Sequence, residues 1–402
     1  MIERQFISLG KLLYYLIMNI LLVPLACLLL LGKATFRIRF VRLIDNRIGH
    51  LAANTELFLR SLDLQGKKKM KRFFVGIASD QPSNHQLLNM YKREFCIIQL
   101  PRELYGNRVF MTVSSDYSLL NWLKVYYDLP FESNESKVFS FGNPQLSFTP
   151  EEIRKGKELL ASMGVTSWYV CIHARDPVYL SDRDSTNRMS FRDCSIDSYL
   201  KSAEHITKKG GFVIRMGAKT EKPLKTSNPR IIDYANLYRS DFGDVFLTGH
   251  CRFFLGSSGG LILLATALGV PAIGCNYIPL GWPPLSKNEL YLPKKLLDSR
   301  TRRFLTFKQI ANTDVLYFYD TGSYERAGLV LVENSPEEIL EVTKEMMNRL
   351  GGKEILTSQD KKNHRQFQEI LAACPHHLHP LSRIGSHFLR TNNELLGDTI
   401  SD

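Results

Sequence analysis

The sequence predicts an α/β fold with two Rossmann-like domains, whose parallel sheets face a central cleft, behind an N-terminal membrane helix. Between residues 165 and 350, short apolar runs typical of buried strands alternate with amphipathic helical patterns. An earlier strand–loop–helix pattern begins at Phe36, and a long apolar stretch precedes it. We predict a membrane anchor at 1–34, a first domain at 35–160, a second domain at 161–350 and a helical tail at 351–402.

Composition limits the classes of protein to which the chain can belong. Its 402 residues suffice for two domains, and 44% hydrophobic with 23% charged residues are typical of a globular protein. The net charge of +12 suits anionic partners such as lipid headgroups or nucleotide-sugar phosphates. The basic residues are spread out without a recognised nucleic-acid motif, so nucleic acid is not an expected partner. Seven cysteines without metal-ligand spacing indicate free thiols in a reducing compartment, the cytosol.

Residues 12–31 are the candidate membrane segment. The stretch is apolar apart from Asn19 and Pro24 and is long enough to cross a bilayer. Basic residues are more numerous after it than before it, which predicts that the body of the protein stays on the cytoplasmic side. Pro24 leaves open a half-inserted hairpin, and a buried core helix is the alternative interpretation. The basic run at 67–72 is either a solvated loop or a contact with anionic lipid.

A strand–loop–helix unit opens the first predicted domain. Alternating basic and apolar residues at 36–44 predict a strand, residues 45–50 a turn and residues 51–62 a helix. His50 is then at the entrance of this helix, on a loop expected to face the cleft. It is our first candidate for a catalytic base, and an ordinary helix-start residue is the alternative. Further strands are predicted at 73–78 and 95–100.

Capping signals mark the helices around the second sheet. Thr149-Pro150-Glu151-Glu152 is a capping box that predicts a helix ending before Gly164, and the similar sequence at 335–338 predicts a helix to residue 350. Ser195 is predicted to cap another helix. Strands are predicted at 168–173, 212–215, 231–234, 253–255, 272–275 and 329–333.

The turn Gly256-Ser257-Ser258-Gly259-Gly260 connects an apolar strand to a short apolar helix, Leu261–Leu268. Small residues let a backbone approach a ligand closely, and free N–H groups at the start of the helix favour an anion. The pattern indicates phosphate or diphosphate binding at the carboxyl end of a parallel sheet. A plain tight turn between two core elements is the alternative.

Two further strand ends carry cations. His173 and Arg175 are two residues apart after one strand, so both should point to one face, and Arg215 ends the next strand just before Gly217. The carboxyl ends of parallel strands meet at one edge of a sheet, where doubly wound domains bind ligands. Arginine suits a diphosphate because its planar fork donates two parallel hydrogen bonds and keeps its charge. We therefore expect one anion site from these residues and the backbone N–H groups of Ser258, Gly259 and Gly260.

Several segments also resemble a family of bacterial glycosyltransferases found among surface-polysaccharide genes. They are HARDPVYL from His173, RMSFRDCSIDSYLKSAEHITKKGGFVIRMG from Arg188, IIDYAN from Ile231 and FLGSSGGLILLATALGVPAIGCNYIPLG from Phe254. The order His-x-Arg, Arg-x-Gly, Gly-Ser-Ser-Gly is more distantly similar to the O-fucosyltransferase type of the two-domain GT-B fold. This resemblance implies a GT-B fold, assigns the donor diphosphate to Arg175, and assigns a phosphate contact to the Ser257–Gly260 turn. Asp176-Pro177 follows His-x-Arg where further basic residues are common in that group, which argues against a GDP-fucose donor.

The resemblance and the site chemistry together predict a metal-independent hexosyl- or deoxyhexosyltransferase at a bacterial inner membrane, possessing no cofactor beyond its nucleotide-sugar donor. The acceptor is expected to be lipid-linked or a cell-surface polysaccharide such as lipopolysaccharide. Fixed cations and helix N–H groups would stabilise the leaving diphosphate. His173 and Asp176 are rivals of His50 as the base, and Asp233 with Tyr234 is a weaker candidate for the contact with the nucleotide's base or ribose.

Two clusters of acidic or histidine residues are more simply interpreted as loops than as metal sites. Asp182-Arg183-Asp184 lies in a polar loop instead of ending a strand, so we interpret it as solvated rather than metal-binding. The cluster of Cys374, His376, His377 and His379 is interrupted by prolines, which favours a loop over a metal site.

Two other functions remain open at the level of sequence. One is transfer of glycerol- or ribitol-phosphate on the same scaffold, which would release a nucleoside monophosphate instead of a diphosphate. The other is a membrane-tethered binding protein with a degenerate site, whose nucleotide affinity would survive the change Arg175→Ala.

Overall fold

The computed structural model describes residues 9–105, 119–123, 126–129, 135–180, 188–218 and 220–397. The chain forms two compact units. The first comprises residues 1–133 and 145–147, and the second comprises residues 134–144 and 148–402. The helix that begins at Pro150, which the sequence analysis assigned to the first domain, belongs to the second unit.

The first unit is built on a four-stranded parallel sheet with strand order β3-β2-β1-β4. Its predicted strands and its first helix are confirmed, and the apolar side chains of Val41, Leu43, Ala52 and Leu59 form part of its buried core. The elements are α1 (Leu9–Phe36), β1 (Arg39–Arg42), α2 (Ile48–Leu64), a 3₁₀ helix (Lys68–Phe73), β2 (Phe74–Ser79), α3 (His85–Glu94), β3 (Cys96–Leu100), α4 (Arg102–Tyr105), α5 (Leu119–Trp122) and β4 (Tyr126–Asp128).

The predicted apolar segment at 12–31 lies within α1, so its helical conformation is confirmed. In the described residues, however, none of the helices combines the length and the apolar character that crossing a membrane requires. The expected membrane-spanning helix is therefore not confirmed.

The second unit contains a seven-stranded parallel sheet with strand order β13-β10-β9-β8-β5-β6-β7. Its strands are β5 (Tyr169–His173), β6 (Phe212–Arg215), β7 (Ile231–Ile232), β8 (Phe254–Ser257), β9 (Ala272–Tyr277), β10 (Glu289–Pro293) and β13 (Arg383–Ile384). A separate two-stranded sheet pairs β11 (Lys295–Asp298) with β12 (Leu329–Val332). The α-helices of this unit are α6 (Glu135–Phe141), α7 (Pro150–Ser162), α8 (Leu200–Lys208), α9 (Tyr234–Leu237), α10 (Asp241–His250), α11 (Gly260–Ala267), α12 (Phe307–Ala311), α13 (Thr321–Arg326), α14 (Pro336–Leu350), α15 (Ser358–Ala373) and α16 (Ser386–Thr391).

The predicted helix starts are confirmed in atomic detail. The side chain of Thr149 accepts from the backbone N–H of Glu152, whose carboxylate accepts from the N–H of Thr149, and Ser335 begins α14 in the same way. Ser195 accepts from the N–H of Asp197 at a 3₁₀ turn, Ile196–Tyr199, that leads into α8. These reciprocal bonds satisfy N–H groups that the first turn of a helix leaves without partners.

Three features of the second unit differ from the prediction. The strand predicted at 329–333 is β12, which pairs antiparallel with β11 instead of joining the parallel sheet. The predicted helical tail adds β13 to the edge of the main sheet. Residues 241–250 form a helix whose apolar side is buried, although the sequence analysis did not predict it. In each case tertiary packing, which a local pattern does not contain, decides the partner of the segment.

Candidate functional site

The predicted site residues of the second unit lie at the carboxyl edge of its sheet. There β5 ends at His173, β6 ends at Arg215 and β8 ends at Ser257, on three adjacent strands. Because the strands are parallel and hydrogen-bonded in the order β8-β5-β6, their ends lie side by side. The strand register therefore brings these residues to one edge of the sheet, as the sequence predicted.

Arg175 is fixed at this edge from two directions. Its backbone N–H donates to Ser257 Oγ at 2.9 Å, and its Nε lies 2.9 Å from Asp193 Oδ1. The second contact is a close ion pair, but neither atom has an aligned hydrogen bond. Burial raises the pKa of Asp193, and the positive charge of Arg175 opposes this rise. Arg175 is only 7% exposed, so its charge acts in a poorly hydrated environment.

Arg215 holds a neighbouring loop. Its Nη1 donates to the carbonyl oxygen of Lys222 at 2.7 Å and lies 3.4 Å from Asp233 Oδ2. The same carboxylate oxygen accepts from the backbone N–H of Leu224 at 2.8 Å. Two residues after Arg215, Gly217 has φ of +155°, a conformation that side chains disfavour. The arginine is buried and partly neutralised, so only part of its guanidinium can serve an anion.

His173 connects the arginines to the glycine turn. Burial, and after it the positive charges of Arg175 and Arg215, lower the pKa of His173 from 6.5 to about 4, although Asp176 acts in the opposite direction. A Cβ placed on Gly259 would lie 3.8 Å from His173 Cε1, so the imidazole faces the turn. His173 is therefore neutral at physiological pH, beside the positive charges of Arg175 and Arg215.

The turn itself is an open helix start. Gly259 is the N-cap residue of α11 in extended conformation, with φ of −171°, and it has no side chain with which to cap the helix. Next to it, Ser258 Oγ donates to the carbonyl oxygen of Ile278 at 3.2 Å, which fixes the turn against the end of β9. The first N–H groups of α11 and the helix dipole therefore favour an anion in front of Gly259 and Gly260.

Three of the predicted site residues have structural partners. Tyr234 is fully buried, and its hydroxyl donates to Ser240 O at 2.8 Å and lies 3.2 Å from Asp244 Oδ1. Its side chain therefore belongs to the core and does not reach a ligand at the sheet edge. Asp176 accepts from the backbone N–H groups of Val178 and Glu221, at 3.1 and 2.8 Å, and so connects two loops. Asp233 is the acid that pairs with Arg215.

His50 lies in the first unit, in the first turn of α2. It is half-buried, and its Nδ1 lies 3.2 Å from Asn54 Oδ1 one helical turn later. Asn54 in turn donates to the carbonyl oxygen of Leu129 at 3.0 Å. The imidazole is thus oriented by a second residue, as a general base needs to be.

Two polar residues of this edge were missed by the sequence analysis. Lys294 directly follows β10 and is 6% exposed, and its Nζ donates to the carbonyl oxygen of Asp193 at 2.7 Å. Burial lowers its pKa. A cavity of about 20 Å³ borders Lys294, Pro293 and Tyr277. The available signal was a lysine after the apolar run at 290–293, the same signal that identified Arg175, whereas nothing local distinguishes Asp193.

Metal-ligand clusters are absent from the ranges that the structure describes: no group of three or more His, Cys, Asp or Glu residues is placed to hold an ion. Asp182 and Asp184 lie outside these ranges. In the tail, Cys374 is buried, the His376 ring packs against Tyr317, and His377 Nδ1 lies 3.0 Å from the carbonyl oxygen of Ala372. Like the sequence pattern, these contacts favour a packed loop over a metal site.

No protein-family model matches the chain, and no curated protein matches it. Among solved structures, the chain is similar to ADP-heptose lipopolysaccharide heptosyltransferase II from E. coli, with 12% identity, coverage of 63% of this chain and 90% of that one, and a TM-score of 0.42. A family 9 glycosyltransferase from Veillonella parvula has 10% identity, coverage of 64% and 86%, and a TM-score of 0.40. An iron-containing dodecameric glycosyltransferase from enterotoxigenic E. coli has 12% identity, coverage of 62% and 61%, and a TM-score of 0.35. Similarity to the O-fucosyltransferase type is not shown and stays a prediction.

Proposed function

We propose that the chain is a glycosyltransferase that binds the diphosphate of a nucleotide-sugar donor at the carboxyl edge of the second unit's sheet. The main observation that supports this proposal is the environment of His173. Burial and, after it, two buried arginines lower the pKa of His173, and its imidazole faces the open start of α11. Cations and backbone N–H groups are thus close together at this edge, and two nearby acids, Asp193 and Asp233, are already paired with these arginines.

The arrangement suits the departure of a diphosphate from a sugar. The leaving group gains negative charge as the glycosidic bond breaks, and fixed donors stabilise that charge without reorganising. Arg175 meets Asp193 through Nε, at the base of its fork, so the terminal nitrogens are the ones that would face two phosphate oxygens. Neutral His173 would add a hydrogen bond instead of a charge. We propose that this chemistry proceeds without a metal and without a cofactor other than the donor.

A base must remove the proton of the acceptor hydroxyl. We propose His50 for this role because Asn54 orients its ring. His173, with a pKa of about 4, is a weaker base at neutral pH, and both carboxylate oxygens of Asp176 already accept backbone hydrogen bonds.

The acceptor and the location belong to the same proposal. We propose a lipid-linked or cell-surface polysaccharide acceptor of the lipopolysaccharide type, a hexosyl or deoxyhexosyl donor, and attachment to the cytoplasmic face of a bacterial inner membrane through residues 12–31. Apolar side chains of α1 support the attachment because they are largely exposed, among them Leu16 at 56%, Ile20 at 61% and Leu21 at 67%. Exposed apolar surface of this extent favours burial in lipid.

The test is a thermal-shift panel of UDP-, GDP-, ADP-, CMP- and dTDP-sugars on the full-length chain in detergent. We expect one donor class to raise the melting temperature. Arg175→Ala should abolish most of that rise, because alanine supplies neither the positive charge nor the two parallel hydrogen bonds of the guanidinium. Arg175→Lys should retain part of it. Arg154→Ala is the matched control, because Arg154 is an exposed arginine of α7 in the same unit.

Product analysis with the responding donor then identifies the reaction. Release of a nucleoside diphosphate supports sugar transfer, whereas release of a nucleoside monophosphate would instead indicate transfer of a polyol phosphate. Unchanged donor binding by Arg175→Ala would contradict the proposed site and would favour a non-catalytic binding protein.

A further inference from the structure

The second unit exposes an aromatic surface that follows β9 in the chain. The Trp282 side chain is 48% exposed and that of Tyr319 is 38% exposed. Their ring centroids are 4.7 Å apart at an interplanar angle of 67°, so the two rings form a corner. Tyr317 supports Trp282 from another side, with centroids 6.0 Å apart. We call the surface formed by Trp282, Tyr319 and the neighbouring Arg192 the aromatic platform.

Arg192 adds a cation to this corner. Its guanidinium carbon lies 5.2 Å from the centroid of the Tyr319 ring, and its Nη1 donates to the Tyr319 hydroxyl at 3.3 Å. One face of Tyr319 is therefore covered, and Trp282 keeps the larger exposed surface. Exposed aromatic rings next to an arginine are a common surface for stacking a flat, electron-rich ring.

The aromatic platform is connected to the phosphate-binding turn by two separate routes. On one side, Ser258 of the turn donates to the carbonyl oxygen of Ile278, and Trp282 follows four residues later. On the other side, Arg192 directly precedes Asp193, the ion partner of Arg175.

The contacts along these two routes form one continuous series. Arg175 donates to Ser257, the turn contacts the segment that carries Trp282, Trp282 packs on Tyr319, and Tyr319 packs on Arg192 beside Asp193. The platform and the anion-binding groups are therefore linked by a short series of contacts within the second unit. A ligand with a phosphate at one end and a flat ring at the other fits this pairing.

We propose that the aromatic platform binds the heterocyclic base of the nucleotide donor, with Trp282 as the stacking surface. The inference rests on the proposed function, since it assigns the second half of the same donor. It also replaces Tyr234, whose burial removes it as a base contact. Stacking on an aromatic face tolerates all bases, so Trp282 supplies affinity and leaves the choice of base to polar contacts.

The experiment separates the base from the phosphates. Isothermal titration calorimetry on the full-length chain compares UDP, ADP, GDP, CDP and dTDP with inorganic pyrophosphate, which lacks a base. For Trp282→Ala we expect at least a fivefold loss of affinity for the nucleoside diphosphate that the wild type binds, and less than a twofold change for pyrophosphate. Trp282→Phe should retain most of the nucleotide affinity because it keeps an aromatic face. Phe141→Ala, which removes an exposed ring of the same unit, should change neither.

The possible failures are distinguishable. If Trp282→Ala leaves nucleotide affinity intact while Arg175→Ala abolishes binding of nucleotide and pyrophosphate alike, the platform does not bind the base, although the phosphate site stands. Equal losses for nucleotide and pyrophosphate in Trp282→Ala would also overturn the inference, because they would assign Trp282 to the shape of the turn. If the wild type binds neither class of ligand, the proposed function itself fails.

Discussion

Arg175 and Ser257 join the ends of two neighbouring strands, because the backbone N–H of Arg175 donates to the hydroxyl of Ser257 at 2.9 Å. Ser257 is fully buried, so this bond helps to hold the loop that carries Arg175 against the turn that starts α11. The serine that a sequence motif would assign to a phosphate contact through its side chain is instead occupied in positioning the arginine. In the proposed anion site, Ser257 would therefore act by positioning Arg175.

Replacing Ser257 by alanine should loosen this connection without unfolding the unit. The Arg175 N–H would lose its buried acceptor, which costs about 1–3 kcal/mol locally. We expect hydrogen exchange at the Arg175 amide to become about tenfold faster or more, as measured by mass spectrometry of the peptide that contains it. Ser162→Ala, at an exposed position of α7, is the control. An unchanged exchange rate at Arg175 would show that water satisfies this amide equally well.

The ion pair between Arg175 and Asp193 should behave as a coupled unit. Arg175→Met and Asp193→Asn each leave one partly buried charge unpaired, and each should cost on the order of 3 kcal/mol of unfolding free energy. The double variant should cost less than the sum, with a coupling of about 0.5–3 kcal/mol.

Urea unfolding followed by tryptophan fluorescence measures this coupling. In a Trp122→Phe background, the remaining tryptophans, Trp168 and Trp282, both report on the second unit, and Trp122 is 77% exposed, so its replacement is mild. Strict additivity of the two changes would mean that the pair contributes nothing beyond two independent side chains.

The sequence contained most of the framework of this site, for identifiable reasons. His173, Arg215 and the turn at 256–260 each follow an apolar run, and the end of a buried strand is a local feature that a pattern reveals. The capping box at 149–152 was equally local, because a cap involves residues three apart. A parallel sheet then brings the strand ends together without further information.

The parts that the sequence analysis missed depend on contacts distant in the chain. Asp193 is one of many acids in polar segments until the fold places it against Arg175. The packing of Trp282 on Tyr319 joins positions 37 residues apart in sequence, and no local pattern connects them. Tyr234 is the opposite case. The sequence analysis offered it as a ligand contact because it follows Asp233, but packing buries its side chain completely.

The depressed pKa of His173 predicts a specific pH dependence. Its pKa is about 4 in the folded protein and near 6.5 in the unfolded chain. Between these values the unfolded state binds more protons, so this residue's contribution to stability is full above pH 6.5 and is lost as the pH falls towards 4. Each pKa unit corresponds to about 1.4 kcal/mol, so the loss amounts to a few kcal/mol.

The comparison of wild type with His173→Gln isolates this effect. Glu56 and Asp244, whose pKa values burial raises to about 6, favour the folded state at low pH, but they are present in both proteins and cancel in the difference. We expect the melting temperature of wild type minus that of the variant to fall between pH 7 and pH 4. A difference that stays constant over this range would mean that His173 titrates as an exposed histidine.

Two glycines of the same turn distinguish a packing role from a ligand-binding role. A Cβ on Gly256 would lie 2.8 Å from Phe254 Cε1 and 3.1 Å from the carbonyl oxygen of His173, so Gly256→Ala should lower the melting temperature by several degrees. A Cβ on Gly259 would meet nothing closer than 3.8 Å, and its extended backbone suits any residue, so Gly259→Ala should fold normally.

The added methyl group of Gly259→Ala would nevertheless lie at the start of α11, where the proposal places a phosphate. We therefore expect Gly259→Ala to weaken pyrophosphate binding measurably, and Gly259→Val to weaken it further, at unchanged melting temperature. Wild-type affinity in both variants would show that the glycines serve only the turn, and that the anion, if one binds, does not approach the first amides of the helix.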